Sequence, residues 1–285
     1  MRLRDYYKRM RSIAQHPNNR GRLAVAFARA LYGYFVGYAT RRPAVHNLFS
    51  SGHIKLYPGS GYWRNILYYG DRCEWSLANF LRNVLRPGDS FLDIGANIGY
   101  TTIIAYTRVG SDGFIRAAEP NPINFQRLSE NVQLNSMSHV DLRPVAVGCG
   151  PGPLHLTLDD IYSRVVRDST MQTVEVSVDQ LDDLADRSFT VCKVDVEGLE
   201  LDVFKSGKRV ILAGHLPVII FEHNGSNHRY GINDHEVFDY LRSLGYQLGV
   251  YDPLQKSINW SAELWDDVIA ASPAGVEFLA GRLAK

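Results

Sequence analysis

Apolar and polar positions along the chain follow two periods. Residues 91–94, 113–118, 189–194 and 218–221 are short, nearly continuous apolar runs. That is the pattern of strands buried on both faces. Between them apolar residues recur every three to four positions, as Phe125, Leu128 and Val132 do, which predicts helices. Pro122 suits the first turn of a helix over 122–135. A helix is also expected over 75–84, ahead of the first strand. Residues 140–147 predict a third strand, with Pro144 implying an edge or an irregularity. Residues 154–158 and 173–178 alternate, predicting an inserted antiparallel pair around a polar loop at 159–171. Further on, a helix starts at Leu199 and breaks near Gly207. Another spans 234–244, capped by Asn233 and stopped by Gly245. A sixth strand over 247–251 and helices over 262–265 and 275–283 complete the pattern. Strands alternating with helices predict an α/β fold with a doubly wound, mostly parallel sheet, which binds ligands at its strand carboxyl ends.

The segment before the first strand differs. Residues 1–20 read as a basic, solvated arm, and 23–40 are apolar apart from Arg29. A spanning helix needs about 20 apolar residues with few or no charges, and no signal-peptide pattern stands near the start. The expectation is an amphipathic helix, capped by Asn18 or Asn19, that packs on the main domain. Stable membrane insertion is not expected; peripheral contact with a membrane surface is the lesser reading. Residues 45–69 are rich in glycine and aromatics, with a strand at 54–57. They either close over a ligand or cover a sheet edge. The domain reading is an extension over 1–67, a catalytic domain over 68–260 and a helical tail over 261–285 on the same domain.

Composition adds limits. The chain has 285 residues, 45% hydrophobic and 21% charged, enough for one large α/β core. A net charge of +1 argues against a global field for nucleic acid or acidic lipid. Cys73, Cys149 and Cys192 form neither a zinc pattern nor a disulfide framework, so a reducing cytoplasm is expected. The sequence leaves oligomeric state open.

Chemistry gathers at the predicted strand ends. Asp93 and Gly95 stand where the first strand turns into a helix, but Asn97 replaces the second glycine of the dinucleotide pattern. A carboxylate there disfavours a pyrophosphate and favours a ligand with a cationic amino-acid part. Glu119, ending the second strand, is placed to take ribose hydroxyls. Asp195 and Glu197 end the fourth strand, and Glu222 and His223 the fifth. They are candidates to remove a proton from an alcohol acceptor, with His223 or Asp195 preferred. Lys193 either supplies positive charge there or is a buried partner to Glu222 or Asp195. A divalent metal on the carboxylates is a weaker expectation.

Asp93-Ile94-Gly95-Ala96-Asn97-Ile98-Gly99-Tyr100, Glu119-Pro120-Asn121-Pro122 and Lys193-Val194-Asp195-Val196-Glu197-Gly198 together resemble the FkbM family of S-adenosylmethionine-dependent methyltransferases. The likeness runs over roughly 68–251, most of the chain. It implies a Rossmann-like class I methyltransferase fold with S-adenosylmethionine as cofactor. It also implies O-methylation of a small-molecule or glycan acceptor: a sugar, glycan or polyketide-type hydroxyl. Carried over residue by residue, it implies cofactor contacts at Glu74, Asp93, Gly95, Ala96, Asn97, Gly99, Tyr100, Glu119, Pro120, Asn121 and Ala146. For Glu74 a plain surface charge at a helix start is the competing reading. Two other classes stay open from the residues alone: an NAD(P)-dependent oxidoreductase on a similar sheet, and a non-catalytic nucleoside-binding protein.

Overall fold

The computed structural model describes residues 10–49, 51–150, 152–157, 165 and 173–284. The expected loop over 159–171 lies outside them except for Val165, as does most of the basic arm.

In chain order the elements are α1 (Leu23–Thr40), β1 (Ala44–Leu48), β2 (Gly52–Leu56), α2 (Gly61–Tyr69), α3 (Trp75–Val84), β3 (Ser90–Ile94), α4 (Tyr100–Val109), β4 (Phe114–Ala118) and α5 (Pro122–Leu134). There follow β5 (Val140–Arg143), β6 (Ala146–Val147), β7 (Leu154–Thr157), β8 (Thr173–Val176), β9 (Val178–Asp179), α6 (Leu181–Leu184), β10 (Val191–Val194), α7 (Glu200–Ser206) and α8 (Lys208–Leu212). The last are β11 (Val218–His223), α9 (Asp234–Ser243), β12 (Gln247–Asp252), β13 (Ser257–Asn259), β14 (Asp266–Ala271) and α10 (Pro273–Leu283).

The main sheet has eight strands in the order β13-β12-β14-β11-β10-β3-β4-β5. The five from β11 to β5 are parallel; β14 runs antiparallel to β11 and β12. Helices cover both faces. Phe80, Leu81, Ile103, Ile104 and Leu279 fill one core, and Leu201, Phe204, Val210, Val237 and Leu241 fill the other. The chain winds outward from β3 to β5, then returns to β10 on the other side of β3. The crevice where strand order reverses therefore opens between the carboxyl ends of β3 and β10, where such sheets bind ligands.

Several expectations change. The region 45–69 is a β1–β2 hairpin followed by α2, whose Ser60 accepts a hydrogen bond from the Trp63 amide. Pro144 splits the expected third strand: β5 stays in the main sheet while β6 pairs with β9. No helix forms over 262–265. The apolar run that follows is β14, and its pairing with β11 draws the preceding chain out into an extended approach. The arm is only partly solvated over its described part: Arg11, Ser12, Gln15 and Arg20 are exposed. Ile13 and Asn19 are buried, and residues 10–15 are helical. Asn18 and Asn19 do not cap α1. Their side-chain amides bind the carbonyls of Tyr69 and Tyr68 instead, clamping the arm to the end of α2. Arg29 binds the Leu67 carbonyl at 2.8 Å, so α1 docks on α2, which lies within the same N-terminal extension. No helix among the described residues is long and apolar enough to cross a membrane.

Candidate active site

Three tight turns shape the crevice. Gly95 has φ +77°, and a β-carbon there would drive into the Asp195 carbonyl oxygen. Only glycine lets the tips of β3 and β10 approach this closely. Asn97 is left-handed, at φ 51°, and its amide donates to Glu119 Oε2 at 2.8 Å. The Asn121 amide donates to Glu119 Oε1, also at 2.8 Å. Glu119 is 5% exposed, and burial pushes its carboxyl up to about 7 against the pull of those two amides. The third turn carries Asp195 to Gly198. Glu200, buried in the first turn of α7, accepts from the amides of Val196 and Gly198 at 3.2 Å each and so fixes that turn.

A first cavity, about 90 Å³, lies over the tips of β3 and β4. Gly95, Asn97, Glu119, Pro120, Asp195 and Glu197 form its polar side, and Val145, Ala146, Val147, Leu154 and Leu156 its apolar wall. An apolar wall beside a buried carboxylate suits an adenine joined to a ribose, so these residues fit the nucleoside of S-adenosylmethionine.

A second cavity, about 510 Å³, opens between α3, β10, β11 and β14. Glu74, Asp195, Glu197, Glu222, Asp266 and Asp267 line it, with Lys193 among them. Side-chain alternation explains the gathering. Glu222 sits opposite Asp267 across the β11–β14 pair, and Lys193 opposite Asp93 across β10–β3. Lys193 Nζ donates to the Gly95 carbonyl at 2.8 Å and lies 3.3 Å from Asp195 and 3.5 Å from Asp93. Burial pulls its ammonium down, but Asp195, Asp93 and Glu74 together hold it above the ordinary lysine range. Burial, reinforced by Asp195, Glu197, Asp267 and Glu74, raises Glu222 to about 9. Burial likewise raises Glu74 to about 7, although Tyr62 donates to it at 2.6 Å. Asp267 also rises to about 7 through burial, then Glu74 and Asp266, although the Leu77 amide binds it at 3.1 Å. Carboxyls that change charge near neutrality can take up or release a proton under ordinary conditions.

Asn97, Asp195 and Glu197 line both cavities, which meet there. Of the residues expected from sequence, Gly95, Asn97, Glu119, Pro120 and Ala146 line the first cavity, and Glu74, Lys193 and Glu222 the second. Five expected cofactor contacts are on neither wall. Asp93 is fully buried, its Oδ2 accepting from Thr101 and Thr102 at 2.7 and 2.6 Å. It anchors Lys193 and the start of α4. Tyr100 is buried and donates to the Asp71 carbonyl. Asn121 caps α5, Gly99 precedes α4 at φ +91°, and Ala96 is 2% exposed. His223 is a further correction. It alternates to the far face of β11, where its ring packs 4.7 Å from Phe238 and 5.7 Å from Trp265. It does not line either cavity. Sequence reasoning missed Asp266 and Asp267, because β14 was not expected as a strand. The signal was available: two acids lead directly into the apolar run 268–271. It also missed Glu200, while Tyr62, which lines the second cavity, lies in the 45–69 region expected either to close over a ligand or to cover a sheet edge. Among the described residues no cluster of His, Cys, Asp and Glu is arranged to hold a metal ion.

Comparison with curated proteins gives no match. Among solved structures the chain is similar to an FkbM methyltransferase of Methylobacillus flagellatus KT, at 18% identity and TM-score 0.44, over 74% of this chain and 53% of that one. It thus spans about half the length of that relative. It is also similar to a SAM-dependent O-methyltransferase of Thermotoga maritima (12% identity, TM-score 0.43, 81% of this chain and 85% of that one). A third is a ribosomal protein L11 methylase of Lactobacillus delbrueckii subsp. bulgaricus (14%, 0.44, 80% and 97%). The family model described as the methyltransferase FkbM domain matches residues 93–248. That stretch is more than half of the chain, which therefore belongs to the FkbM methyltransferase domain family.

Proposed function

We propose that the protein transfers a methyl group from S-adenosylmethionine to a hydroxyl of a sugar, glycan or polyketide-type acceptor. The observation that carries this reading is the junction of the two cavities at Asn97, Asp195 and Glu197. Glu119, held by two amides, receives the ribose hydroxyls, and Ala146, Val147 and Leu156 flank the base. The bound cofactor supplies a methyl group already activated for in-line displacement, so the protein's task is mainly positioning, worth up to about 7–11 kcal/mol. The acceptor enters the wider, acid-lined cavity. As its oxygen attacks, the hydroxyl proton passes to a carboxylate. Asp195 is the residue proposed for that step, since it stands at the junction, and Lys193 beside it balances charge. Glu74, Glu222 and Asp267 offer further proton sites. The acidic lining gives no support for nucleic acid as the acceptor.

The test is Asp195→Asn at saturating cofactor, with Glu222→Gln as comparison. Loss of a general base should lower kcat by about 100- to 10,000-fold. Near-normal turnover in Asp195→Asn overturns the base assignment. Transfer of labelled methyl to amines or carbon, and to no hydroxyl in a broad acceptor panel, overturns the O-methyl reading.

A further inference from the structure

Helix α1 presents its small residues to the protein and its large apolar ones to the outside. Ala26 and Ala30 are buried. Gly33 and Gly37 lie so close to Leu67 and Trp63 that a β-carbon at either would collide. The one charge in the helix, Arg29, also turns inward, to the Leu67 carbonyl and to Asn19. Outward stand Leu31, Tyr32 and Phe35, at 71%, 68% and 70% exposure, with Val25 at 60%. A surface helix of a protein in water has the opposite arrangement. A contiguous apolar face of this kind marks an interaction site.

Charge says what covers it. Residues 6–70 contain ten Lys or Arg and no Asp or Glu. All but one of the 30 acidic residues lie from Asp71 onward. The net charge of +1 therefore hides a strong separation between a basic N-terminal segment and an acidic remainder. Arg20 and Arg22 are exposed just before α1, and Arg41 and Arg42 just after it. A second copy docking through the same face would bring these arginines against their equivalents, so self-association is disfavoured. An anionic bilayer offers both complements at once: acyl chains for Leu31 and Phe35, headgroup charge for the arginines, and an interfacial depth suited to Tyr32.

We propose that α1 docks the protein in the plane of an anionic lipid surface, with the acidic bulk of the chain facing away. Spanning is not part of this reading. His16 and Pro17, which precede α1, also line the acid-lined cavity, so the docking element and the cavity wall are one segment. The proposal does not depend on the reaction assigned above.

Sedimentation of the full-length protein with vesicles tests it. Phosphatidylcholine vesicles carrying phosphatidylserine should pull the protein down, pure phosphatidylcholine should not, and high salt should release part of it. Leu31→Ser combined with Phe35→Ser should lower partitioning at least about tenfold. Both side chains are mostly exposed, so the thermal unfolding midpoint should not fall. Arg41→Ser combined with Arg42→Ser should lower it roughly tenfold on anionic vesicles only. Protein left in the supernatant with anionic vesicles overturns the proposal. So does a dimer in light scattering that Leu31→Ser with Phe35→Ser converts to monomer without any vesicle binding, since a second copy would then own the face.

Discussion

The two cavities use the same functional group in opposite ways. In the first, Glu119 has each carboxylate oxygen taken by a backbone amide at 2.8 Å. Its orientation is fixed by the backbone turns at Asn97 and Asn121. In the second, Glu74, Glu222 and Asp267 face one another around one ammonium, and each is raised toward or past neutrality. Burial raises the carboxyls in both cavities; the difference is that two backbone amides pull Glu119 back down and fix its orientation, whereas in the second cavity neighbouring carboxylates push Glu222 further, to about 9. The sharpest way to break the comparison is to break the junction. Gly95→Ala would place a β-carbon against the Asp195 carbonyl at a positive φ, forcing the β3 and β10 tips apart. A loss of stability of about 4 kcal/mol or more is expected, with both cavities disrupted. An unfolding midpoint within a degree or two of wild type would show that the two tips are not in forced contact.

The next effect separates the cavities. Glu119→Ala removes the fixed acceptor and leaves the Asn97 and Asn121 amides without it. Cofactor binding should weaken by about 1.5–3 kcal/mol, the range for a hydrogen bond to a charged group. Calorimetry should show that change for Glu119→Ala and little for Glu222→Gln. Equal affinities for wild type and Glu119→Ala would sink the ribose assignment.

Much of this was legible before any coordinates, and the exceptions share a cause. Strands β3, β4, β10 and β11 announce themselves because parallel strands buried on both faces must be continuously apolar. Their positions alone placed Glu119, Asp195 and Glu222 at one sheet edge. What the sequence does not show is which way a residue at a strand tip points. His223 and Glu222 are adjacent, both chemically suited, and alternation sends them to opposite faces. Asp93 is hidden for a related reason: one position inside the strand end, it is sealed beneath α4. Asp267 escaped because its strand comes late, runs antiparallel and brings its first residues, not its last, to the edge. That placement depends on long-range pairing with β11, which no local pattern records.

A smaller effect sharpens the proton-carrier side of the comparison. A carboxyl whose folded value is raised holds its proton longer in the native state than in the unfolded chain. Its stabilising contribution is full below the ordinary carboxyl value of about 4.3 and is lost as pH rises through the folded value. With Glu74 and Asp267 at about 7 and Glu222 at about 9, stability should decline from weakly acid to alkaline pH. Glu222→Gln removes the last of these charges. It should gain about 1 kcal/mol over wild type at alkaline pH, a modest figure because Glu222 is only partly buried and water screens it. Unfolding midpoints across that range test this; wild-type and Glu222→Gln curves that stay parallel would mean Glu222 is not holding a raised proton.

The smallest effect on turnover is expected at the residue whose chemistry is most suggestive. His223 has the right unperturbed pKa for a base, about 6.5, and sits beside Glu222 at the edge of the site. Yet it is 5% exposed, on the face of β11 away from both cavities, with its ring edge-on to Phe238 and Trp265. A base must come within hydrogen-bond reach of the proton it takes, and a group on the opposite face of the strand has no such path. His223→Asn should therefore keep kcat within about twofold of wild type, in contrast to Asp195→Asn. Its cost should appear in stability instead, at about 1 kcal/mol, from lost packing against two aromatic rings. A fall in kcat comparable to that of Asp195→Asn, with an unchanged unfolding midpoint, would mean that β11 turns during the reaction or that His223 acts through Glu222. The division between a binding carboxylate and proton-carrying ones would then have to include an imidazole from the other side of the sheet.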